Sequence, residues 1–234
     1  VILFCVPYAG GGTEAFDGWR EALAPVAEVR VARLPGRGTR YGEPLVDAMP
    51  ALVEDLAAQC EDLSRGPFAL LGYSFGSYAA HALALHLAER GRVARRLFVG
   101  GSRSPHLPPL GPARHLMRDA ELMAELRAMN GTAPEVLASA ELMAMYLPIL
   151  RADFRVAETY PPTATPAPCP LTVFGASQDA FVPTADLSAW SRLGGDDTEV
   201  RVYDGDHFVI RSERPLICRA VRAHLLLDAL NTAS

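Results

Sequence analysis

Ser74 lies in Leu70-Leu71-Gly72-Tyr73-Ser74-Phe75-Gly76, a G-x-S-x-G set between an apolar run at 67–71 and a helical run from Ser77 to about Arg90. A strand-to-helix turn of this form is a nucleophile elbow. It lifts the serine Oγ clear of the sheet edge and aims the helix N-terminus at the reacting centre. Its glycines are needed where two backbones approach too closely for a Cβ. The bare motif turns up by chance about 0.07 times in a chain of this length, so the strand–turn–helix setting carries most of the inference. The plain alternative is that Ser74 caps a helix and does nothing more.

A serine hydroxyl is a weak nucleophile and needs a base held by a third group. Elbow enzymes place the three in the chain order Ser, acid, His. Of the six histidines, His81 and His86 fall on the helix after the elbow, His106 and His115 in a long insertion, and His224 on the last helix. Packing or surface roles suit these five. His207, in Tyr203-Asp204-Gly205-Asp206-His207-Phe208, directly follows an apolar strand, where loops at the sheet edge carry function. It is the expected base. The strand at 96–101 ends in Gly100-Gly101-Ser102-Arg103-Ser104, without a carboxylate, whereas the strand at 170–175 ends in Gly175-Ala176-Ser177-Gln178-Asp179. Asp179 is therefore the expected acid, and Asp204 and Asp206, too near His207 to face its ring, are assigned to turns. Two N–H donors complete an oxyanion hole. One belongs to Phe75; the other is expected from Pro7-Tyr8-Ala9-Gly10-Gly11-Gly12, whose glycines let backbone approach a carbonyl.

Short apolar runs alternating with helical patterns predict a mainly parallel sheet flanked by helices. The expected strands are 1–6, 28–34, 67–72, 96–101, 170–175 and 198–203, with helices near 15–24, 48–63, 75–90, 183–192 and 213–231. One domain spans 1–234, with a core of 1–101 and 161–234. Between them, 102–160 contains no strand pattern, only helical ones at 117–129, 134–145 and 148–159, punctuated by Asn130-Gly131 and Pro148. That length exceeds what a crossover needs, so it reads as a helical lid. Five of the six methionines (Met117, Met123, Met129, Met143, Met145) fall within it. They either pack the lid onto the sheet or line an adaptable apolar chamber. The apolar face through Leu142, Met143, Tyr146, Leu147 and Leu150 predicts a channel wall, with Met123, Met143, Tyr146, Leu147 and Phe154 as its lining.

The 234 residues are 50% hydrophobic and can bury one substantial core. A net charge of −5 argues against nucleic acid, and no apolar stretch reaches the length of a membrane span. Cys5, Cys60, Cys169 and Cys218 form no metal spacing and read as buried free thiols of a reducing cytosol. Residues 1–6 look like a core strand, too short for a secretory h-region, and the missing initiator methionine places the natural start upstream. There is no phosphate-cradling G-x-G-x-x-G, so a nucleotide reading fails.

Together these residues resemble the type II thioesterases of polyketide and nonribosomal peptide synthesis, of the α/β-hydrolase fold. The resemblance runs over nearly the whole chain. It takes in Phe4-Cys5-Val6-Pro7-Tyr8-Ala9-Gly10-Gly11, then Leu34-Pro35-Gly36-Arg37-Gly38 with Arg40 and Glu43-Pro44, and then the elbow. It continues through Leu97-Phe98-Val99-Gly100-Gly101 with Ser104-Pro105, Asn130-Gly131-Thr132, Leu147-Pro148-Ile149-Leu150-Arg151-Ala152-Asp153-Phe154 and Gly205-Asp206-His207-Phe208. It implies hydrolysis of acyl groups from the phosphopantetheine arm of acyl or peptidyl carrier proteins. Ser74, Asp179 and His207 would be the triad and the Ala9 and Phe75 amides the oxyanion hole. It also implies no cofactor and no metal, and a cytoplasmic monomer. Tyr73 stands where the family usually has His, and Ser77 where a small apolar residue is commoner; both leave the acyl preference open. Product-releasing thioesterases and acyl shuttles share the same triad. From another class, a catalytically silent carrier-protein or ligand binder would keep the fold without needing all three groups.

Overall fold

Six apolar runs become the strands of one sheet: β1 (Ile2–Val6), β2 (Glu28–Val31), β3 (Phe68–Tyr73), β4 (Leu97–Gly100), β5 (Leu171–Ala176) and β6 (Glu199–Tyr203). The computed structural model describes residues 1–61 and 66–231. The strand order is β2-β1-β3-β4-β5-β6, and every neighbouring pair is parallel. The chain crosses from β1 to β2 on one side and returns to β3 on the other. A crevice therefore opens at the C-terminal ends of β1 and β3, the place where α/β sheets bind ligands.

The helices are α1 (Trp19–Leu23), α2 (Met49–Gln59), α3 (Phe75–Glu89), α4 (Asp119–Met129), α5 (Pro134–Ala138), α6 (Ala140–Thr159), α7 (Thr184–Leu187), α8 (Ser191–Gly194), α9 (Val209–Ser212) and α10 (Arg214–Asn231). Both faces of the four central strands are covered, which is why β1, β3, β4 and β5 read as continuous apolar runs, whereas β2 and β6 at the edges alternate and are partly exposed. Phe4, Val6, Leu70, Val99 and Val173 pack with Leu52 and Leu56 of α2 and with Ala80, Leu83 and Leu87 of α3. Leu3, Cys5, Ala69, Leu71, Phe98 and Phe174 pack on the opposite side with Trp19 and Leu23 of α1 and with Ile217, Val221 and Leu225 of α10. All four cysteines are free and buried. No helix among the described residues is long and apolar enough to cross a membrane.

Several expected helices are shorter or divided. The pattern at 48–63 ends as a helix at Gln59, and residues 62 and 63 lie outside the described ones. The pattern at 15–24 splits into a 3-10 turn (Thr13–Phe16) and α1, because Gly18 between them takes a left-handed φ of 76°. In the 102–160 segment the correction goes the other way. The patterns at 134–145 and 148–159 are not two helices meeting at Pro148; α6 runs through it. Pro148 and the residue one turn before it, Ala144, are both exposed, so the carbonyl that loses its intrahelical donor can turn to water. The break falls earlier, at Ser139, whose Oγ caps α6 by accepting from Leu142 N at 3.2 Å. Leu122 and Leu126 of α4 form a small core of their own with Met143, Leu147 and Leu150 of α6.

Candidate active site

The turn after β3 holds Ser74 at φ 54° and ψ −122°, a conformation that non-glycine residues rarely adopt. Its neighbours make that strain sustainable. A Cβ on Gly72 would sit 2.0 Å from the Gly76 carbonyl oxygen, and one on Gly76 would sit 2.3 Å from that of Val6. Ser74 N–H donates to the Gly100 carbonyl at 2.7 Å. Ser77 Oγ, fully buried, lies 3.0 Å from the Gly72 carbonyl oxygen and 2.8 Å from that of Gly100, and accepts from Gly100 N at 3.1 Å. The hydroxyl at this position thus ties the elbow to the end of β4.

His207, in the loop after β6, presents Nε2 3.1 Å from Ser74 Oγ, and its Nδ1 lies 2.7 Å from Asp179 Oδ2. Asp179 follows β5, and its second oxygen accepts from the N–H groups of Phe181 (2.8 Å) and Val182 (3.1 Å). That leaves a buried carboxylate fully engaged. Asp204 and Asp206 do not face the ring. Asp204 Oδ1 accepts from Ser177 Oγ and Gln178 Nε2, bonds that hold its carboxyl below the usual range, and Asp206 Oδ1 accepts from Phe208 N. The Tyr73 hydroxyl donates to the His207 carbonyl at 2.8 Å. Burial, and secondarily Asp179 and Asp206, hold this phenol protonated, so its proton stays available for that bond while its oxygen accepts from the Ile210 backbone.

Ser74 and His207 open onto a cavity of about 320 Å³ whose wall also includes Ala9 and Phe75. The N–H of Phe75 is in the first turn of α3, which has no intrahelical acceptor. Tyr8, Tyr78, Phe181 and Phe208 come from the sheet side, while Leu126, Met129, Tyr146, Leu150 and Phe154 come from the 102–160 segment. Of the five residues expected to line a channel, Tyr146 and Phe154 do so. Met123, Met143 and Leu147 do not: they pack between α4 and α6, and Leu142 is 45% exposed. Met129, at the end of α4, is the methionine that reaches the cavity. The 3.6 period identifies an apolar face but cannot say whether that face meets a neighbouring helix or a void. Among the described residues no group of His, Cys, Asp or Glu side chains is placed to hold a metal ion.

Sequence reasoning did not single out the pairing of Arg37 with Asp153, both nearly buried, or the Tyr73 hydroxyl. The available signal was charge inside two otherwise apolar or glycine-rich stretches: Arg37 within 34–38, and Arg151 and Asp153 within 147–154.

A parallel sheet with a serine elbow after β3, an acid after β5 and a histidine after β6 defines an α/β-hydrolase. A family model described as "Thioesterase domain" matches residues 1–225, and the chain belongs to that family. It is a thioester hydrolase. It is 36% identical over 226 residues to gramicidin S biosynthesis protein GrsT of Aneurinibacillus migulanus, covering 94% of this chain and 88% of the relative. Thioesterase PikA5 of Streptomyces venezuelae is 33% identical over 231 residues, covering 97% and 82%. The crystal structure of ClbQ from the colibactin NRPS/PKS pathway superposes with a TM-score of 0.90 at 28% identity, covering 98% of both chains.

Proposed function

We propose that the chain removes acyl groups from the phosphopantetheine arm of carrier proteins in polyketide or nonribosomal peptide synthases, by way of an acyl-serine. The observation that carries this reading is the opening of Ser74 and His207 onto a largely apolar cavity roofed by α4, α6 and the 107–114 loop. Such a chamber suits a substrate delivered on a long thin arm better than an open cleft does. The names of GrsT, PikA5 and ClbQ, tied to synthase pathways, support the same source of substrate.

In this mechanism His207 Nε2, within general-base reach at 3.1 Å, takes the proton of Ser74 as Oγ attacks the thioester carbon. The carbonyl oxygen becomes an oxyanion facing the Ala9 and Phe75 amides. The carbon–sulfur bond then breaks, and His207 returns the proton to the leaving thiolate. A water, deprotonated by His207, attacks the acyl-serine. Collapse releases a carboxylic acid and restores the Ser74 hydroxyl. Asp179 holds the Nδ1 proton and stabilises the imidazolium throughout. All of these groups come from one chain, so the reading needs neither a cofactor nor a second subunit, and it places the enzyme in the cytoplasm beside its synthase. The segment 102–160 serves as a lid, with Asn130-Gly131 and the proline-rich 161–168 as hinges. An apolar chamber discriminates weakly, about 10- to 200-fold per methylene, which suits a housekeeping role over many stalled acyl chains.

The test is a panel of short and medium acyl groups on one carrier protein. Turnover should spread over many of them, and Ser74→Ala should lower it by about 10⁴- to 10⁶-fold. Hydrolysis confined to a single acyl chain, or transfer to an alcohol or amine in preference to water, would replace this reading with product release or acyl shuttling.

A further inference from the structure

We infer that Asp153 and Arg37 are positioning residues for the oxyanion hole, gripping the loop after β1 so that the Ala9 amide is presented to the reacting carbonyl. The inference rests on the acyl-serine reading above. The N–H of Gly10, the residue after Ala9, donates to Asp153 Oδ2 at 2.7 Å. The same oxygen accepts from Arg37 Nη1 at 2.6 Å, and Oδ1 accepts from Nη2 at 2.7 Å. Arg37 Nη1 reaches on to the Gly11 carbonyl at 3.2 Å. The loop is therefore held by its N–H at Gly10 and by its carbonyl at Gly11, from two side chains only 3% and 10% exposed.

The geometry goes beyond tying two segments together. An ion pair that merely joined α6 to the 34–38 turn would need only the two bonds between Arg37 and Asp153. The third, to Gly10 N–H, acts on the peptide plane that begins at Ala9. That plane is rigid. Committing its N–H to a carboxylate sets ψ at Ala9 and withdraws the Gly10 donor from the reaction, leaving the Ala9 N–H for the oxyanion. A bond from N–H to an ionised carboxylate is among the stronger ones. Gly10 takes φ +76°, and a Cβ there would collide with the Tyr146 hydroxyl and with Leu150, so the loop packs directly on α6. Asp153 is itself an α6 residue. The hole is thus complete only while α6 is seated over the sheet edge, and a lid displaced from that seat leaves the loop without its anchor.

The test compares two ligands of the purified full chain. One is a trifluoromethyl ketone analogue of a short acyl-pantetheine thioester, which adds to Ser74 and places an oxyanion in the hole. The other is the matching alkyl thioether, which occupies the cavity without forming one. In D153L/R37M, which removes both charges together and so leaves neither buried alone, ketone affinity and kcat on an acyl-pantetheine should each fall about 10²-fold, the cost of one oxyanion donor. Thioether affinity should stay as in wild type. D153N/R37Q keeps a neutral acceptor for Gly10 N–H and should recover most of the loss. In the wild-type protein, which needs no variant to fold, the ketone should shift the Ala9 amide resonance and leave Gly10 unmoved. Wild-type ketone affinity in a folded D153L/R37M, an equal loss for ketone and thioether, or a Gly10 amide that moves with the oxyanion would each overturn the inference. If the ketone forms no Ser74 adduct with the wild type, the acyl-serine mechanism fails and takes this inference with it.

Discussion

Replacing Tyr73 by Phe removes one oxygen atom from the least accessible part of the active site. The Tyr73 ring is fully buried and wedged against Gly100 and Gly101, where a Cβ on either glycine would meet it at 2.8 and 2.6 Å. Phe keeps that wedge. What disappears is the 2.8 Å bond to the His207 carbonyl, together with the hydrogen bond that the oxygen accepts from the Ile210 backbone. A buried acceptor stripped of its donor costs about 1–3 kcal/mol, and a chain of this size melts roughly 2–4 °C lower per kcal/mol, so Tm should drop by about 2–12 °C. The catalytic effect follows from what the bond holds. The His207 ring is oriented at one end by Asp179 Oδ2, and Tyr73 anchors its backbone at the other. Losing the anchor lets Nε2 drift from its 3.1 Å approach to Ser74 Oγ, and a misplacement of about 1 Å costs up to ~10² in rate. Because Tyr73 does not line the cavity, KM should change little. Steady-state kinetics on an acyl-pantetheine, alongside thermal melts, separate the two effects. A Phe variant with wild-type kcat and wild-type Tm would refute the argument that this hydroxyl positions the base.

Asp179→Asn should fold normally yet lose up to ~10⁴ in turnover by favouring the wrong imidazole tautomer. Asp204→Asn and Asp206→Asn, whose carboxylates accept from Ser177 and Gln178 and from the Phe208 N–H rather than facing the His207 ring, should stay near wild-type rates in the same assay. His81, fully buried with Nε2 against the Thr165 carbonyl, has its pKa held down to about 4 by burial. The unfolded chain protonates this group first, near 6.5, so its contribution is whole above that pH. It is lost as pH falls from 6.5 to about 4, by roughly 3 kcal/mol in all. The denaturant midpoint should fall with acid across this window in the wild type and fall less in His81→Phe; an equal pH dependence in both would discount burial as the cause.

The elbow was legible because its causes lie within a few residues: an apolar run, Gly72 and Gly76 where backbone crowds backbone, and a helical run behind them. Asp179 and His207 were legible for a related reason. Each follows an apolar strand, and parallel strands linked by crossovers all end at one edge, so residues at their C-terminal ends converge whatever their distance in sequence. The sheet order, the passage of α6 through Pro148 and the inward or lateral facing of Met129, Met123 and Met143 were not readable in this way. Each depends on what a neighbouring element leaves exposed, and a 3.6 period is the same for a face against a helix and a face against a void. Arg37 and Asp153 lie 116 residues apart, and Tyr73 and His207 134 apart. No local pattern links such partners. They meet because α6 settles over the C-terminal sheet edge and the β6 loop folds back beneath the elbow, so burial within the assembled fold, and not spacing along the chain, decides which polar groups must find one another.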